Sequence, residues 1–154
     1  MIAIKPAKLK DFASLMQLDV FPEQKAAHLP FEQAYHNRSK YEVILALYTD
    51  RHPIGYVILD KAFAHHATFA RRHELGLKYI VLDKEYQKKG FGRKAMQKLL
   101  VYANAISADS DSLCVTLPAT EEDAQHFFTA VGFIEEAKLF YGRNGKERIL
   151  RHKL

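Results

Sequence analysis

LKYIVLDKEYQKKGFGRKAMQKLLVYA, residues 77–103, reads as a strand, a glycine turn and a helix in direct succession. A short apolar run ends at Asp83. Gln87-Lys88-Lys89-Gly90-Phe91-Gly92 comes next, and a helical pattern then starts without a break. Met96, Leu99, Leu100 and Ala103 recur at the spacing of one helix face, which predicts a helix over residues 91–106. A strand that feeds a basic, glycine-containing turn at a helix N-terminus is a device for holding phosphate. The turn aims several backbone N–H groups at one point, and the helix dipole adds partial positive charge there.

Upstream, residues 2–4 predict a short strand stopped near Pro6. Residues 9–20 predict a helix with Phe12, Leu15, Met16 and Val20 on one face. Pro22 and Pro30 punctuate the next segment, and residues 31–37 predict a second short helix. Residues 41–48 and 54–59 are rich in β-branched and aromatic side chains. They predict a hairpin turning through Thr49-Asp50-Arg51-His52-Pro53. Residues 61–76 are polar and histidine-rich and read as a connection with room for some regular structure. Residues 77–82 are then the fourth strand.

Downstream, residues 107–111 (SADSD) predict a turn, because short polar side chains compete there for backbone hydrogen bonds. In the strand expected over 113–117, Leu113, Val115 and Leu117 share one face, Cys114 and Thr116 the other. Thr120 and Asp123 make a capping pair for a helix whose buried face is Ala124, Phe127, Phe128 and Val131, stopped at Gly132. Residues 133–141 and 148–154 predict a last hairpin around Arg143-Asn144-Gly145-Lys146. The resulting order, β-α-α-β-β-β-α-β-α-β-β, is a mixed α/β layout with a central sheet and helices on both faces. With no internal repeat or linker, a single domain over residues 1–154 is expected.

Composition narrows the function classes. Hydrophobic residues make up 48% and charged residues 27% of the 154, which fits neither a disordered nor a fibrous chain. The start, MIAIKPAKLK, lacks the apolar core and cleavage site of a signal peptide, and no apolar run of about 18 residues is present to span a membrane. The single cysteine, Cys114, has no internal disulfide partner, so a cytoplasmic protein is the simplest expectation. A net charge of +5 suits a polyanion, either nucleic acid or a small ligand such as a nucleotide or coenzyme A. The charges are scattered, without a basic tail or an aromatic-interleaved strip, so the small ligand is favoured.

A lone G-x-G is weak, but here it stands at a strand-to-helix junction behind Gln87-Lys88-Lys89. About thirty residues on comes Glu121-x-x-Ala124-x-x-Phe127-Phe128-x-x-x-Gly132-Phe133. A dinucleotide fingerprint fits poorly, because Ala95 occupies the place of its third glycine and no early β-α-β unit precedes the motif. Together these residues resemble the GNAT superfamily of acyl-CoA-dependent N-acyltransferases. Gln87, Lys88, Lys89, Gly90, Phe91 and Gly92 match its Q/R-x-x-G-x-G/A turn. Ala124, Phe127, Gly132 and Phe133 match its later N-x-x-A-x-x-F-Y-x-x-x-G-F segment. The element order fits as well, so the resemblance covers nearly the whole chain. More loosely, Pro22-Glu23-Gln24, Gln33-Ala34-Tyr35 and Gly145-Lys146-Glu147 resemble the polyamine acetyltransferase branch.

The resemblance implies a mixed, mostly antiparallel sheet of about seven strands. It implies acetyl-CoA as acyl donor, lying along the splayed edge of the fourth strand, and no metal. Backbone groups of Tyr79, Ile80 and Val81 would bind the pantetheine arm. The N–H groups from Lys88 to Arg93 would bind the pyrophosphate, and a backbone N–H near Leu82 would polarise the thioester carbonyl. A primary amine, on a small molecule or a protein, would attack directly, and a homodimer is compatible with the family. The alternative kept open is a catalytically decayed acyl-CoA-binding or sensing module.

Three positions depart from the family pattern. Glu121 stands where an asparagine often contacts CoA, Phe128 where a tyrosine often protonates the leaving thiolate, and Thr116 where a carboxylate is often found. A phenyl ring has no proton to donate, so Tyr141, on the last hairpin, is the substitute candidate for the acid. Glu121 and Phe128 stay among the cofactor-side residues, although an acidic side chain in a first helical turn also suits the dipole by itself. Cys114, on an apolar strand without an accompanying histidine pattern, is expected to be a packed thiol. His65, His66 and His73 follow no metal-ligand spacing. For a cationic acceptor, Glu42, Glu74, Glu135 and Glu136 are the carboxylates available to form an acidic patch.

Overall fold

Period-two alternation along the strands sorts the apolar side chains onto the two faces of one sheet, and helices cover both. The computed structural model describes residues 2–25, 29–142 and 145–154. Strand β1 (Ile2–Pro6) is followed by a 3-10 turn (Leu9–Asp11), α1 (Phe12–Met16), α2 (Pro22–Lys25) and α3 (Phe31–His36). Then come β2 (Glu42–Thr49), β3 (His52–Asp60), α4 (Phe63–His66) and β4 (Glu74–Leu82). A second 3-10 turn (Lys84–Tyr86) leads to α5 (Phe91–Ile106), β5 (Ser112–Pro118) and α6 (Glu122–Ala130). The chain ends with β6 (Ile134–Glu135), β7 (Phe140–Gly142) and β8 (Gly145–Lys153).

The sheet order is β1-β2-β3-β4-β5-β8-β6, with β7 also paired to β8, and β4–β5 is the parallel pair in an otherwise antiparallel sheet. On one face Leu45, Val57, Leu75, Leu113, Val115 and Leu150 pack against Met96, Leu99 and Ala103 of α5 and Phe128 of α6. On the other, Ile44, Ala46, Tyr48, Tyr56, Ile58 and Val81 lie under Leu15 of α1 and Phe31 and Ala34 of α3. Each fully buried leucine-sized side chain contributes about 1.5–3 kcal/mol. Helix α5 therefore docks on the sheet by the apolar stripe visible in the sequence.

Several elements differ from expectation, each for a tertiary reason. The helix expected over 9–20 ends at Met16, which is 52% exposed, because Asp19 is drawn to the end of β4. Lys84 N–H donates to the Asp19 carbonyl at 2.7 Å, and Asp19 N–H donates to Asp83 Oδ2 at 3.0 Å. The β2–β3 turn is only Asp50-Arg51, both left-handed (φ 49° and 68°), the geometry that matches strand twist. His52 and Pro53 belong to β3. The 61–76 connection contains α4, so His65 and His66 lie on a helical turn, and β4 starts at Glu74 rather than Leu77.

Helix α6 begins without the Thr120–Asp123 capping pair. Glu121 takes the cap position, because Glu121 N–H closes a tight turn onto the Pro118 carbonyl at 2.9 Å. The first arm of the last hairpin splits into β6 and β7, giving eight strands among the described residues instead of about seven. Of its expected turn, Arg143 and Asn144 lie outside the described residues, and Gly145 and Lys146 belong to β8.

Candidate functional site

Strands β4 and β5 pair over only three rungs, Glu74–Gly76 against Ser112–Cys114. Beyond them the strands part, and from Leu77 onward the β5-side edge of β4 carries no strand partner among the described residues. Asp83 N–H donates to the Ile54 carbonyl at 2.8 Å, which sets the alternation along β4. Val81 and Tyr79 spend their backbone groups on β3, whereas Leu82 and Ile80 direct theirs into the gap. Of the expected trio Tyr79, Ile80 and Val81, only Ile80 presents backbone groups to the split, and the Leu82 N–H joins it. A bulge opposite Ile58–Leu59 inserts Lys78 into β4 just below this stretch.

A buried ion pair closes the apex of the split. Arg151 Nε donates to Glu74 Oε2 at 2.7 Å, and Ser112 Oγ donates to the same oxygen at 2.7 Å. Arg151 also bonds Glu136 through Nη1 and the Phe69 carbonyl through Nη2, the latter at 2.7 Å. Three strands are thus tied together along the short β4–β5 pairing, whose last rung before the split is Gly76 with Cys114. Cys114 lies on that rung, and burial pushes its thiol up to about 12, so it is a packed thiol and not a nucleophile.

The open end of β4 leads into the turn. Lys88 (φ 61°) and Gly90 (φ 85°) are left-handed and flank Lys89, an alternation that curls successive N–H groups around one concavity. Gly90 is the N-cap of α5 and supplies no side-chain cap; the first helical bond is Lys94 N–H to the Gly90 carbonyl at 3.2 Å. Among the described residues, no backbone or side-chain acceptor takes the N–H groups from Lys88 to Arg93. Lys88, Lys89, Arg93 and Lys94 are all exposed around them. Gly92 lets the helix start close in: a Cβ there would meet Phe127 Cε1 at 3.1 Å and Leu82 Cδ1 at 3.7 Å.

Gln87 has a positioning task. Its Nε2 donates to the Leu82 carbonyl at 2.8 Å and to Gln24 Oε1 at 2.9 Å, and Gln24 Nε2 donates back to Gln87 Oε1 at 2.9 Å. The side chain faces inward, binding the turn to β4 and α2 rather than offering its amide to a ligand. Gln87→Ala is expected to lower stability by about 1 kcal/mol, the usual worth of such bonds. It is also expected to weaken coenzyme A binding several-fold, because the turn loses its anchor. Thermal melts and calorimetric titration with coenzyme A measure the two effects.

The structure does not gather every residue singled out by sequence. Phe128, expected on the cofactor side, is 3% exposed and sits in the core edge-on to Phe127 and Phe133. Phe127 is the ring that reaches the turn. Tyr141 is 70% exposed and pairs with Lys146 across β7–β8, which puts it on the sheet face shared with Leu150 and α5, away from Thr116. Glu121 lies at the N-cap of α6, its carbonyl accepting from Gln125 N–H at 3.1 Å. The carboxylates expected to form an acidic patch are all engaged. Glu42 pairs with Lys78, Glu74 with Arg151, Glu135 with Arg148, and Glu136 with Arg151 and Arg71. Among the described residues no group of three or more His, Cys, Asp or Glu is placed to hold a metal ion, and no helix is long and apolar enough to cross a membrane.

Comparison with known proteins accords with this architecture. The family model described as "Acetyltransferase (GNAT) family" matches residues 9–133. Comparison with curated protein sequences gives no match. Among solved structures, spermidine N-acetyltransferase from Vibrio cholerae in complex with CoA and spermine is similar at TM-score 0.74 and 18% identity, over 99% of this chain and 95% of that one. The aminoglycoside acetyltransferase AAC(6')-Ib in complex with coenzyme A superposes at 0.81 and 12% identity, over 99% and 95%. The ribosomal-protein-S18-alanine N-acetyltransferase from Escherichia coli superposes at 0.65 and 19% identity, over 100% and 93%. At such identities these likenesses speak for the fold.

Proposed function

The chain belongs to the GNAT acetyltransferase family, and from that premise we propose that it transfers an acetyl group from acetyl-CoA to a primary amine by direct attack on the thioester. The observation that carries this reading is the split beyond Gly76, whose free edge at Ile80 and Leu82 runs straight into the left-handed turn at Lys88–Gly90. A phosphate-binding turn at the end of an unpaired strand edge suits a ligand with a pyrophosphate at one end and an amide-bearing arm at the other.

The N–H groups from Lys88 to Arg93, with the side chains of Lys88, Lys89 and Arg93, bind the pyrophosphate. The arm then enters the split from the Leu82 end, so Leu82 N–H meets it first and the thioester lies deeper. This order makes Ile80 N–H a better donor to the thioester carbonyl than Leu82 N–H, the donor expected from the sequence. Preorganised donors aimed at a developing oxyanion give large rate effects. The amine must reach the carbonyl uncharged, so its proton goes to solvent or a nearby base. The thiolate leaves as a group with a thiol pKa of about 8.5, which needs no dedicated acid. That accords with Phe128 in the core and Tyr141 on the far face.

The test is thiol release. Purified protein with acetyl-CoA is offered alkyl diamines, an aminoglycoside and a peptide with a free N-terminus, and free thiol is followed colorimetrically. Release that requires one of the amines is expected. Tight coenzyme A binding with no release above the amine-free rate would favour a decayed acyl-CoA-binding module instead.

A further inference from the structure

We propose that Glu147 selects the acceptor, receiving the ammonium group of a cationic aliphatic amine on the sheet face opposite α5. The proposal rests on the acetyl-transfer reading above, from which it takes the path of the donor. If α5 and its turn hold the pyrophosphate end, an acceptor approaches the thioester from the other face of the split. Over β1–β3 that face is covered by α1 and α3, and at Gly76 it is plugged by Phe63, whose ring would lie 2.6 Å from a Cβ there. The part left for an acceptor is bordered by the upper half of β4 and by β5, β8 and β7.

Glu147 is the carboxylate that the register brings to this place. Across β5–β8, Cys114 pairs with Arg151, Thr116 with Ile149, and Pro118 with Glu147, so Glu147 shares a face with Thr116 and Cys114. Gly76 stands level with Cys114. Counting on past the inserted Lys78 puts Pro118 level with Val81, between Ile80 and Leu82, across the gap, with Glu147 one strand beyond Pro118 on β8. The carboxylate is half-buried and, among the described residues, takes no hydrogen bond or ion pair, while Glu42, Glu74, Glu135 and Glu136 are all engaged. Gly142 makes room for it: a Cβ there would lie 2.7 Å from Glu147 Oε2. Beside it Phe140, its partner on β7, packs on Phe69 with ring centroids 4.6 Å apart.

A lone carboxylate beside an aromatic wall suits an alkyl chain ending in an ammonium. The chain lies on the rings, and the cation meets its counter-charge where water is partly excluded. An amine that carries its own carboxylate is repelled by the same oxygen atoms. One charged side chain thus favours one class of acceptor despite the net charge of +5.

The test uses binding, so that it does not depend on turnover. Protein saturated with coenzyme A is titrated calorimetrically with 1,4-diaminobutane and with β-alanine, in the native form and as Glu147→Gln and Glu147→Asp. The native protein is expected to bind the diamine and discriminate against β-alanine. Glu147→Gln should weaken the diamine at least about tenfold, the usual worth of a charge-assisted contact. Glu147→Asp should retain part of the affinity, and coenzyme A binding should be unchanged in both. No diamine binding by the native protein, or equal diamine affinity in native and Glu147→Gln protein, overturns the proposal. The transfer reading fails separately: diamine binding that depends on Glu147, with no thiol release from acetyl-CoA, would sink that reading and leave this one standing.

Discussion

Gly90→Val is expected to weaken coenzyme A binding at least about tenfold while the fold survives, a loss of about 1.4 kcal/mol or more. Gly90 sits at φ +85°, and a Cβ built there meets nothing within 4 Å. Space therefore does not forbid the substitution; the backbone does. An ordinary residue in the left-handed region costs about 1–2 kcal/mol, and a β-branched one more. The chain can relieve this by rotating the 89–91 peptides, which turns the converging N–H groups away from their common point. The open space above Gly90 is where the phosphates are proposed to sit, so a side chain also intrudes on them. Gly90→Ala should show a smaller loss. The fully buried residues of α5 begin at Ala95, a turn further on, so the melting temperature should fall only slightly. Calorimetric titration with coenzyme A reads the effect, and an unchanged affinity would remove the pyrophosphate assignment.

Arg151→Met is expected to destabilise the fold by about 3–5 kcal/mol, far more than Gln87→Ala or Gly90→Val. It leaves the Glu74 carboxylate, whose side chain is 0% exposed, without its cation. It also strips the Phe69 carbonyl and Glu136 of a donor. At roughly 2–4 °C per kcal/mol for a domain of this size, the melting temperature should fall by about 10 °C. Glu74→Met with Arg151→Met should recover much of that loss, because well-packed apolar side chains replace buried ion pairs at little net cost. Both forms should raise the KM for acetyl-CoA, since the pair ties β4, β5 and β8 at the apex of the split. A double variant with recovered stability and a native KM would show that the pair acts on stability alone.

Much of the strand–turn–helix unit proposed to bind the donor is legible in the sequence, because its signals are local. The α5 boundaries agree with the 91–106 reading, since a helix face repeats within a few residues and a glycine marks a left-handed φ where it stands. The Gln87–Gly92 turn lies where the motif put it, at the junction of β4 and α5. The start of β4 was missed because Glu74, a buried charge, looks like loop until Arg151 arrives from 77 residues away. The positioning task of Gln87 is not legible in the motif, because its partner, Gln24, is 63 residues distant. Thr120 and Asp123 carried a reasonable capping pattern, but the turn onto Pro118 shifted the helix start past it.

On the acceptor side the limits were of another kind. Tyr141 and Glu147 are both polar residues near the ends of strands, and nothing local says which face either takes. The pairing of β7 with β8 decides it: Tyr141 falls opposite Lys146 on the α5 side, and Glu147 opposite Phe140 on the other. Phe127 and Phe128 are adjacent and both apolar, so only the docking of α6 sends one to the turn and the other to the core.

Local sequence alone specifies the strand–turn–helix unit proposed to hold the donor, because periodicity, glycine conformation and helix-end electrostatics act within a few residues. Where β4 and β5 part, which backbone groups face the gap, and which carboxylates are already paired become visible only once the chain is folded. Those facts follow from strand register and from ion pairs between residues far apart in the chain, which no local pattern encodes.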